Sequence, residues 1–130
     1  MNWTKEFRIG NLVRHTLGVA RITALDGHVV TAETICDPHW HVRISNNDNL
    51  IPITPDLLEK IEGCVKEDYP FETDDFCYRK GDVFLISWDN DEQTYVNLIH
   101  KPVLYLHQLQ NLYFAMTGEE LTLNVCAVGV

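Results

Sequence analysis

The stretch from Val103 to Leu121 is the feature that most limits what this chain can fold into. Four large side chains within it recur at the spacing i, i+3, i+4 and i+7: Leu109, Leu112, Tyr113 and Met116. This spacing predicts a helix with one buried face. Gly118 stands where a left-handed residue commonly ends a helix. We therefore predict a short strand over 103–106 that leads into a helix over 107–117, as the packing centre of the second half.

Length and composition favour a folded protein. A chain of 130 residues suits one compact unit or two small subdomains that share a core. A hydrophobic content of 45% is too high for a disordered chain. No apolar run approaches the roughly 20 residues of a membrane-spanning helix, and the first residues lack the apolar core of a secretory signal. We expect a cytoplasmic protein, and we expect its cysteines to be reduced: Cys36, Cys64, Cys77 and Cys126.

The charge is divided unevenly along the chain. Residues 1–50 carry five basic and five acidic residues, whereas residues 51–130 carry five basic and fourteen acidic residues. The second part therefore holds the whole net charge of −9. Since nucleic-acid binding depends on Lys and Arg that neutralise phosphates, this balance argues against a nucleic-acid partner.

The first half has the pattern of short β-strands. We predict a strand over 7–14, a hairpin over 19–35 that turns at Asp26-Gly27, and a strand over 40–44. So many short strands must close or pack to hide their edges. A small SH3-like β-barrel or a bent antiparallel sheet over 1–53 meets that need.

The second half, residues 54–130, is predicted to be α+β. Thr54 suits a helix N-cap and Pro55 the first helical position, so a helix is expected over 54–62 with Gly63 as its stop. Three strands of an antiparallel meander follow within 76–106, at 76–79, 82–88 and 94–99. The helix over 107–117 packs on this sheet. Residues 121–128 form either an edge strand or an apolar interface.

The sequence resembles a family of small uncharacterised bacterial proteins, many of them from phages, prophages and mobile elements. Three landmarks carry the resemblance in the order typical of that family: "FRIGNLV", "PITPDLLEKI" and "YLHQLQNLYFAMTGEELTL". The last of these is the most specific, and the stretch from 63 to 101 matches only loosely. The resemblance implies a stand-alone bacterial cytoplasmic protein, and it carries over no catalytic or binding residue.

One cluster has the chemistry of a metal site. Cys36, His39 and His41 lie within six residues, and a thiolate with neutral imidazoles suits zinc. The spacing matches no standard zinc module, however. The alternative is a β-loop in which Trp40 anchors the first subdomain, and this alternative is favoured over the metal site.

Two other groups invite a chemical interpretation. His107 begins the signature helix and suits a general base tuned near neutral pH, although a structural role for it is favoured. The acidic run 89–92 lacks the glycine and glutamate that an EF-hand needs, so we expect a hairpin turn. The sequence also contains no G-x-S-x-G, P-loop, G-x-G-x-x-G or H-E-x-x-H motif.

We therefore expect no enzyme and no cofactor, but a binding or adaptor protein whose partner is another protein. Two alternatives stay open. One is a nucleic-acid-associated protein, which either binds through the first half or mimics nucleic acid with its acidic half. The other is a small enzyme or metal protein that uses His107 or the group Cys36, His39 and His41. The sequence leaves the oligomeric state open.

Overall fold

The structure is a computed structural model that describes residues 7–27, 29–45, 49–68, 76–99 and 101–124. Within these residues it contains two four-stranded antiparallel sheets and two helices, which confirms the predicted α+β class. In chain order the elements are β1 (Leu12–His15), β2 (Gly18–Asp26), β3 (Val29–Thr34), β4 (His41–Ile44), α1 (Pro55–Glu59), β5 (Cys64–Asp68), β6 (Phe76–Lys80), β7 (Val83–Asp89), β8 (Thr94–Val96) and α2 (Leu106–Thr117).

The first sheet has the strand order β1-β2-β3-β4 and is open. The predicted antiparallel pairing is therefore confirmed, and the closed barrel is wrong. The predicted hairpin is present as β2 and β3, but Asp26 pairs with Val29, so its turn lies one residue later than expected.

The predicted first strand begins too early, because residues 7–11 form a turn. Gly10 has a φ of +101° there, and the backbone N–H of Asn11 donates to the carbonyl of Arg8 at 3.0 Å. The Arg8 N–H in turn donates to Asn11 Oδ1 at 2.7 Å. Strand β1 begins only at Leu12.

Helix α1 begins as predicted and ends early. The Thr54 hydroxyl accepts a hydrogen bond from the Leu57 N–H at 3.2 Å, and proline follows it at the start of the helix. The helix closes at Lys60, three residues before the expected stop. Ile61 already forms a β-bridge with Leu123, and Gly63 (φ +78°) directs the chain into β5.

The second sheet has the order β5-β6-β7-β8. Strands β6, β7 and β8 are the three predicted strands of the meander, although the third stops at Val96. It stops there because Asn97 N–H donates to the Lys101 carbonyl at 2.9 Å and turns the chain. Strand β5 is absent from the prediction, since four of its five residues are exposed and leave no apolar pattern to recognise.

Helix α2 extends over Leu106–Thr117 and ends at Gly118, whose φ of +74° confirms the predicted left-handed residue. Its buried face differs from the predicted one. Leu109 and Tyr113 are buried as expected, but Met116 is 41% exposed and Leu112 is only partly buried. Two polar side chains are buried in their place, those of His107 and Gln110.

The two halves share a core. One apolar cluster joins side chains of the first sheet to side chains of both helices and of the segment between β4 and α1: Leu12, Val19, Ile51, Leu57 and Leu106. The expected strand at 103–106 forms only single bridges, of Pro102 with Val96 and of Tyr105 with Pro52, before Leu106 opens the helix. Residues 122–124 run beside residues 60–62, and the rest of the apolar C-terminal stretch lies outside the described residues.

Neither helix is long and apolar enough to cross a membrane, among the residues that the structure describes.

We predict that α2 tolerates truncation at Met116 but not at Leu109. Leu109 is fully buried in the cluster that α2 forms with the second sheet, so Leu109→Ala should lower the free energy of unfolding by about 2–5 kcal/mol. Met116→Ala should change it by less than about 0.5 kcal/mol, as expected for an exposed position. Urea denaturation of both variants measures this difference. If both variants lost the same free energy of unfolding, Met116 would be buried, and the helix would pack through the face that the sequence periodicity predicts.

Candidate functional site

The polar residues of α2 face the N-terminal turn and the first strand. Gln110 is 2% exposed, and its side-chain oxygen accepts a hydrogen bond from the Leu12 N–H at 2.8 Å. Its amide nitrogen lies 3.4 Å from the Gly10 carbonyl. β1 is an edge strand, so its outer backbone groups have no strand to pair with. Gln110 therefore supplies the partner that a neighbouring strand would otherwise provide.

A pair of asparagines continues this contact. The Asn11 side chain, which is fully buried, donates to Asn111 Oδ1 at 2.7 Å, and Arg8 Nε donates to the same oxygen at 3.1 Å. Asn11 also bonds the Arg8 backbone within the turn. One asparagine thus fixes the shape of the turn and its attachment to the helix.

Arg8 completes the contact at the end of the helix. Its guanidinium group donates to the two carboxylate oxygens of Glu120 at 2.6 and 2.8 Å, and it lies 4.1 Å from the centre of the Phe114 ring. The hydrogen bond from Arg8 lowers the pKa of the Glu120 carboxyl below its ordinary value, and the charges of Arg8 and Arg21 add to this effect. Two parallel bonds make this pair more specific than a single contact between exposed charges.

The backbone conformation at position 10 favours glycine, and the position also lies close to the Glu120 side chain. Its φ of +101° lies in the region that side chains rarely adopt, and a Cβ atom there would collide with the Glu120 carboxylate. Two of the sequence segments that carry the family resemblance, those beginning at Phe7 and at Tyr105, contact each other in the structure. The first contributes Arg8, Gly10 and Asn11 to this contact, and the second contributes Gln110, Asn111 and Glu120.

His107 is buried where helix α2 packs against the N-terminal turn, and it does not lie in a cleft. The side chain is 1% exposed, with the Phe7 ring edge-on at 5.0 Å between centroids and the Tyr105 ring stacked at 6.1 Å. A general base must reach the proton that it abstracts. A buried ring packed against two aromatic side chains is the environment of a histidine in a protein core.

Gln108 has a local role at the start of α2. Its side-chain oxygen accepts hydrogen bonds from the backbone N–H groups of Leu104 and Tyr105, at 2.9 and 3.1 Å. These bonds satisfy donors that precede the first helical turn.

The metal-like cluster is not assembled. Cys36 forms a disulfide bond, so its sulfur is not a thiolate. His39 Nδ1 lies 2.8 Å from the Thr34 carbonyl and Nε2 lies 3.2 Å from the Asp37 carboxylate, while His41 lies on β4. Among the described residues, no three His, Cys, Asp or Glu side chains are placed to hold a metal ion.

The cysteines and Trp40 differ in part from what the sequence predicts. Cys64 and Cys77 are free, as predicted, but the prediction of a reduced Cys36 is wrong, and Cys126 lies outside the described residues. Trp40 is half exposed, so it does not anchor the first sheet. It is attached instead through its backbone, which donates to the Thr34 hydroxyl at 2.7 Å.

The acidic run after β7 is a self-capped turn. The Asp89 side chain accepts hydrogen bonds from the N–H groups of Asp91 and Glu92, at 3.0 and 3.3 Å. Gln93 closes the turn with a φ of +55°. The hairpin turn that the sequence predicts is confirmed.

The groups with the largest pKa shifts are held in their neutral forms. Burial raises the pKa of the Cys64 thiol to about 11, although Lys80 opposes the shift, and burial beside Tyr78 raises the pKa of Tyr95 to about 12. A nucleophile or base needs the opposite shift to be active near neutral pH.

Two surface features escaped sequence reasoning. Leu98 and Ile99 are the most exposed large apolar side chains described, at 65% and 70%, and they form the tip of the turn after β8. The Asn97 side chain holds this tip, since it accepts from the N–H groups of Ile99 and Lys101 at 3.0 Å each. The sequence does contain a sign of this turn, an asparagine followed by two apolar residues, but it falls within the predicted strand over 94–99.

The second feature is a set of arginines on the first sheet. Arg14, Arg21 and Arg43 are exposed and take part in none of the ion pairs found among the described residues. Their alternation along three strands was visible in the sequence, but only the strand pairing shows that they share a face.

Comparisons with protein-family models, with curated proteins and with solved structures found no match to this chain.

We predict that Gln110 is needed to protect the edge of β1. In Gln110→Ala the buried Leu12 N–H loses its acceptor, which should lower the free energy of unfolding by about 1–3 kcal/mol. Hydrogen exchange at the Leu12 amide should become faster as well. Glu119→Ala, at an exposed position beyond the helix, is the control and should leave both measurements unchanged. An unchanged exchange rate in Gln110→Ala would contradict this role.

We predict a pH-dependent coupling between Arg8 and Glu120. A double-mutant cycle with Arg8→Ala and Glu120→Ala, read by urea denaturation, should give a coupling of about 0.5–1 kcal/mol at neutral pH. Because the folded-state pKa of Glu120 lies below its ordinary value of 4.5, this contribution persists down to that pH and is lost as the pH falls through the lower value. A coupling that stays constant into strong acid would exclude an ionic interaction.

Proposed function

We propose that this protein is a bacterial, non-enzymatic binding protein, an adaptor that holds another protein. The resemblance to phage and mobile-element proteins supports that setting. The observation that carries the proposal is the tip formed by Leu98 and Ile99, where two apolar side chains are presented to solvent on a turn fixed by Asn97.

The shape and order of this tip favour a protein partner. It projects from the end of β8, so it suits insertion into an apolar cleft and not the enclosure of a small molecule. Anchor residues of protein interfaces are large side chains buried in a pocket of the partner. A turn already held by its own hydrogen bonds loses little conformational entropy on binding, which favours affinity.

The hairpin behind the tip is firmly attached. The Val103 N–H donates to the Tyr95 carbonyl at 2.9 Å, and both residues are buried in the core beside α2. These contacts attach the segment that carries the tip to the core of the second sheet. The SH3-like interpretation of the first sheet remains part of the proposal, since such modules present loops or open edges to proteins.

We predict that replacing the tip removes partner binding and leaves the fold intact. Tagged wild-type protein and the double variant Leu98→Ser with Ile99→Ser are used for affinity capture from the native host, followed by mass spectrometry. A partner should be enriched with the wild type and lost with the variant, while urea denaturation shows a change of less than about 0.5 kcal/mol.

Leu17→Ser is the matched control, because Leu17 is 56% exposed but lies in the first half of the chain. It should retain the partner. Equal capture by the tip variant and the wild type would refute the tip as the contact surface.

A further inference from the structure

We infer that the outer edge of β5 binds an extended, lysine- or arginine-rich segment of a partner protein, which adds to the second sheet as a fifth strand. This surface is separate from the apolar tip and does not depend on it, because the tip follows β8, the strand at the opposite edge of the same sheet. An unpaired strand edge, a cavity at the start of β5 and the local charge support this binding mode.

Strand β5 is an edge strand that is paired on one side only, within the part of the chain that the structure describes. It pairs with β6 from Cys64 to Asp68, and β6 separates it from the rest of the sheet. The outer edge of β8 is bridged by Pro102, and that of β1 is bonded by Gln110. No such cover lies on β5 among the described residues, so its outward backbone groups can pair with an added strand.

The backbone of Lys66 points to this open edge. The Cys64 N–H donates to the Ile61 carbonyl at 3.1 Å. Backbone groups of an antiparallel ladder alternate between the two sides of a strand, so Val65 bonds toward β6 and Lys66 points away from it. Four of the five residues of β5 are exposed. The Lys66 amide is therefore the place where the addition of a strand would be detected.

A cavity of about 1030 Å³ opens at the start of β5. Its lining includes Cys64 and Leu123 and three acidic residues, Asp56, Glu59 and Glu62. None of the three carboxylates forms an ion pair with a described residue. The side chains of lysine and arginine have an apolar stem and a charged head, so they can pack against apolar groups while they reach a carboxylate. The cavity therefore suits basic side chains at one end of an added strand.

The charge around β5 favours a basic partner over a second copy of this chain. Residues 56–75 contain eight acidic and two basic residues, which is −6 of the net charge of −9. Opposite charges on paired strands stabilise the pairing, whereas like charges destabilise it. A second copy would place this acidic segment against itself. Strand β4 is also an edge strand, but it belongs to the neutral first half, so charge gives it no comparable preference.

Three lysines near the edge oppose a basic partner. Two of them are directed toward β6: the Lys66 ammonium lies 4.2 Å from the centre of the Phe76 ring, and Lys80, on β6 itself, donates to the Glu62 carbonyl at 2.6 Å. The third, Lys60, lines the cavity together with the three carboxylates. The acidic residues of the cavity thus outnumber its lysine, and they set the sign of the charge that an entering side chain meets.

The test is fluorescence anisotropy of the full chain with a labelled peptide of about eight residues in which lysine alternates with threonine. We expect this peptide to bind, and hydrogen exchange at the Lys66 amide should slow in its presence, because the added strand accepts from that N–H. A second peptide has two adjacent prolines at its centre and the same number of lysines. It should bind about tenfold more weakly, since in any register one proline removes a hydrogen bond to β5.

Variants of the cavity test the contribution of charge. Glu59→Gln with Glu62→Gln should weaken binding of the alternating peptide about fivefold. The matched control is Asp91→Asn with Glu92→Gln, which removes two exposed carboxylates from the turn after β7 and should leave the affinity unchanged. All four positions are exposed, so urea denaturation should find both variants as stable as the wild type.

Several results would overturn the inference. If the proline peptide bound equally well, or if exchange at Lys66 did not change, charge would attract the peptide without strand addition. Absence of binding, or equal binding of a glutamate–threonine peptide, would remove the basic partner. A dimer in sedimentation that protects the Lys66 amide would assign the edge to a second copy. The tip variant Leu98→Ser with Ile99→Ser should bind the lysine peptide like the wild type, so failure of one proposal is distinguishable from failure of the other.

Discussion

The attachment of the N-terminal turn to helix α2 is the interaction on which the rest of the structure depends. Apolar burial drives the two halves together, but it has no direction and would tolerate more than one relative position. The bond from the Leu12 N–H to Gln110 and the bond between Asn11 and Asn111 are buried or partly buried and directional. A shifted helix would leave these polar groups without partners, at about 1–3 kcal/mol each. The network therefore selects one arrangement of the two halves.

Local chemistry explains what could be predicted from the sequence. Thr54 before Pro55 marked the start of α1, and Gly118 marked the end of α2, because capping depends on a few neighbouring residues. The buried face of α2 could not be predicted in the same way. Periodicity treats Gln110 as a surface residue, whereas its partners lie about a hundred residues earlier in the chain. Its burial became favourable only because the open edge of β1 needed a hydrogen-bond acceptor.

The same limit applies to the candidate sites. Cys36, His39 and His41 are close in sequence, but Cys36 is in a disulfide bond and the ring nitrogens of His39 contact Thr34 and Asp37, so their ligating atoms are not brought together. Strand β5 was missed because an exposed edge strand has no apolar face to read. Counting charges along the chain gave a neutral first half, because it cannot separate Arg8, which pairs with Glu120, from Arg14, Arg21 and Arg43, whose side chains are exposed on the first sheet.

The contact between the N-terminal turn and α2 also bears on the proposed contact surface. The apolar tip belongs to the second sheet, whose core side chains pack with those of α2, and the first sheet joins this core through the cluster around Leu106. The hydrogen bond between Asn11 and Asn111 holds α2 to the turn that precedes β1. A partner bound at the tip would therefore have a defined position relative to the first sheet, although the polar network does not contact the tip.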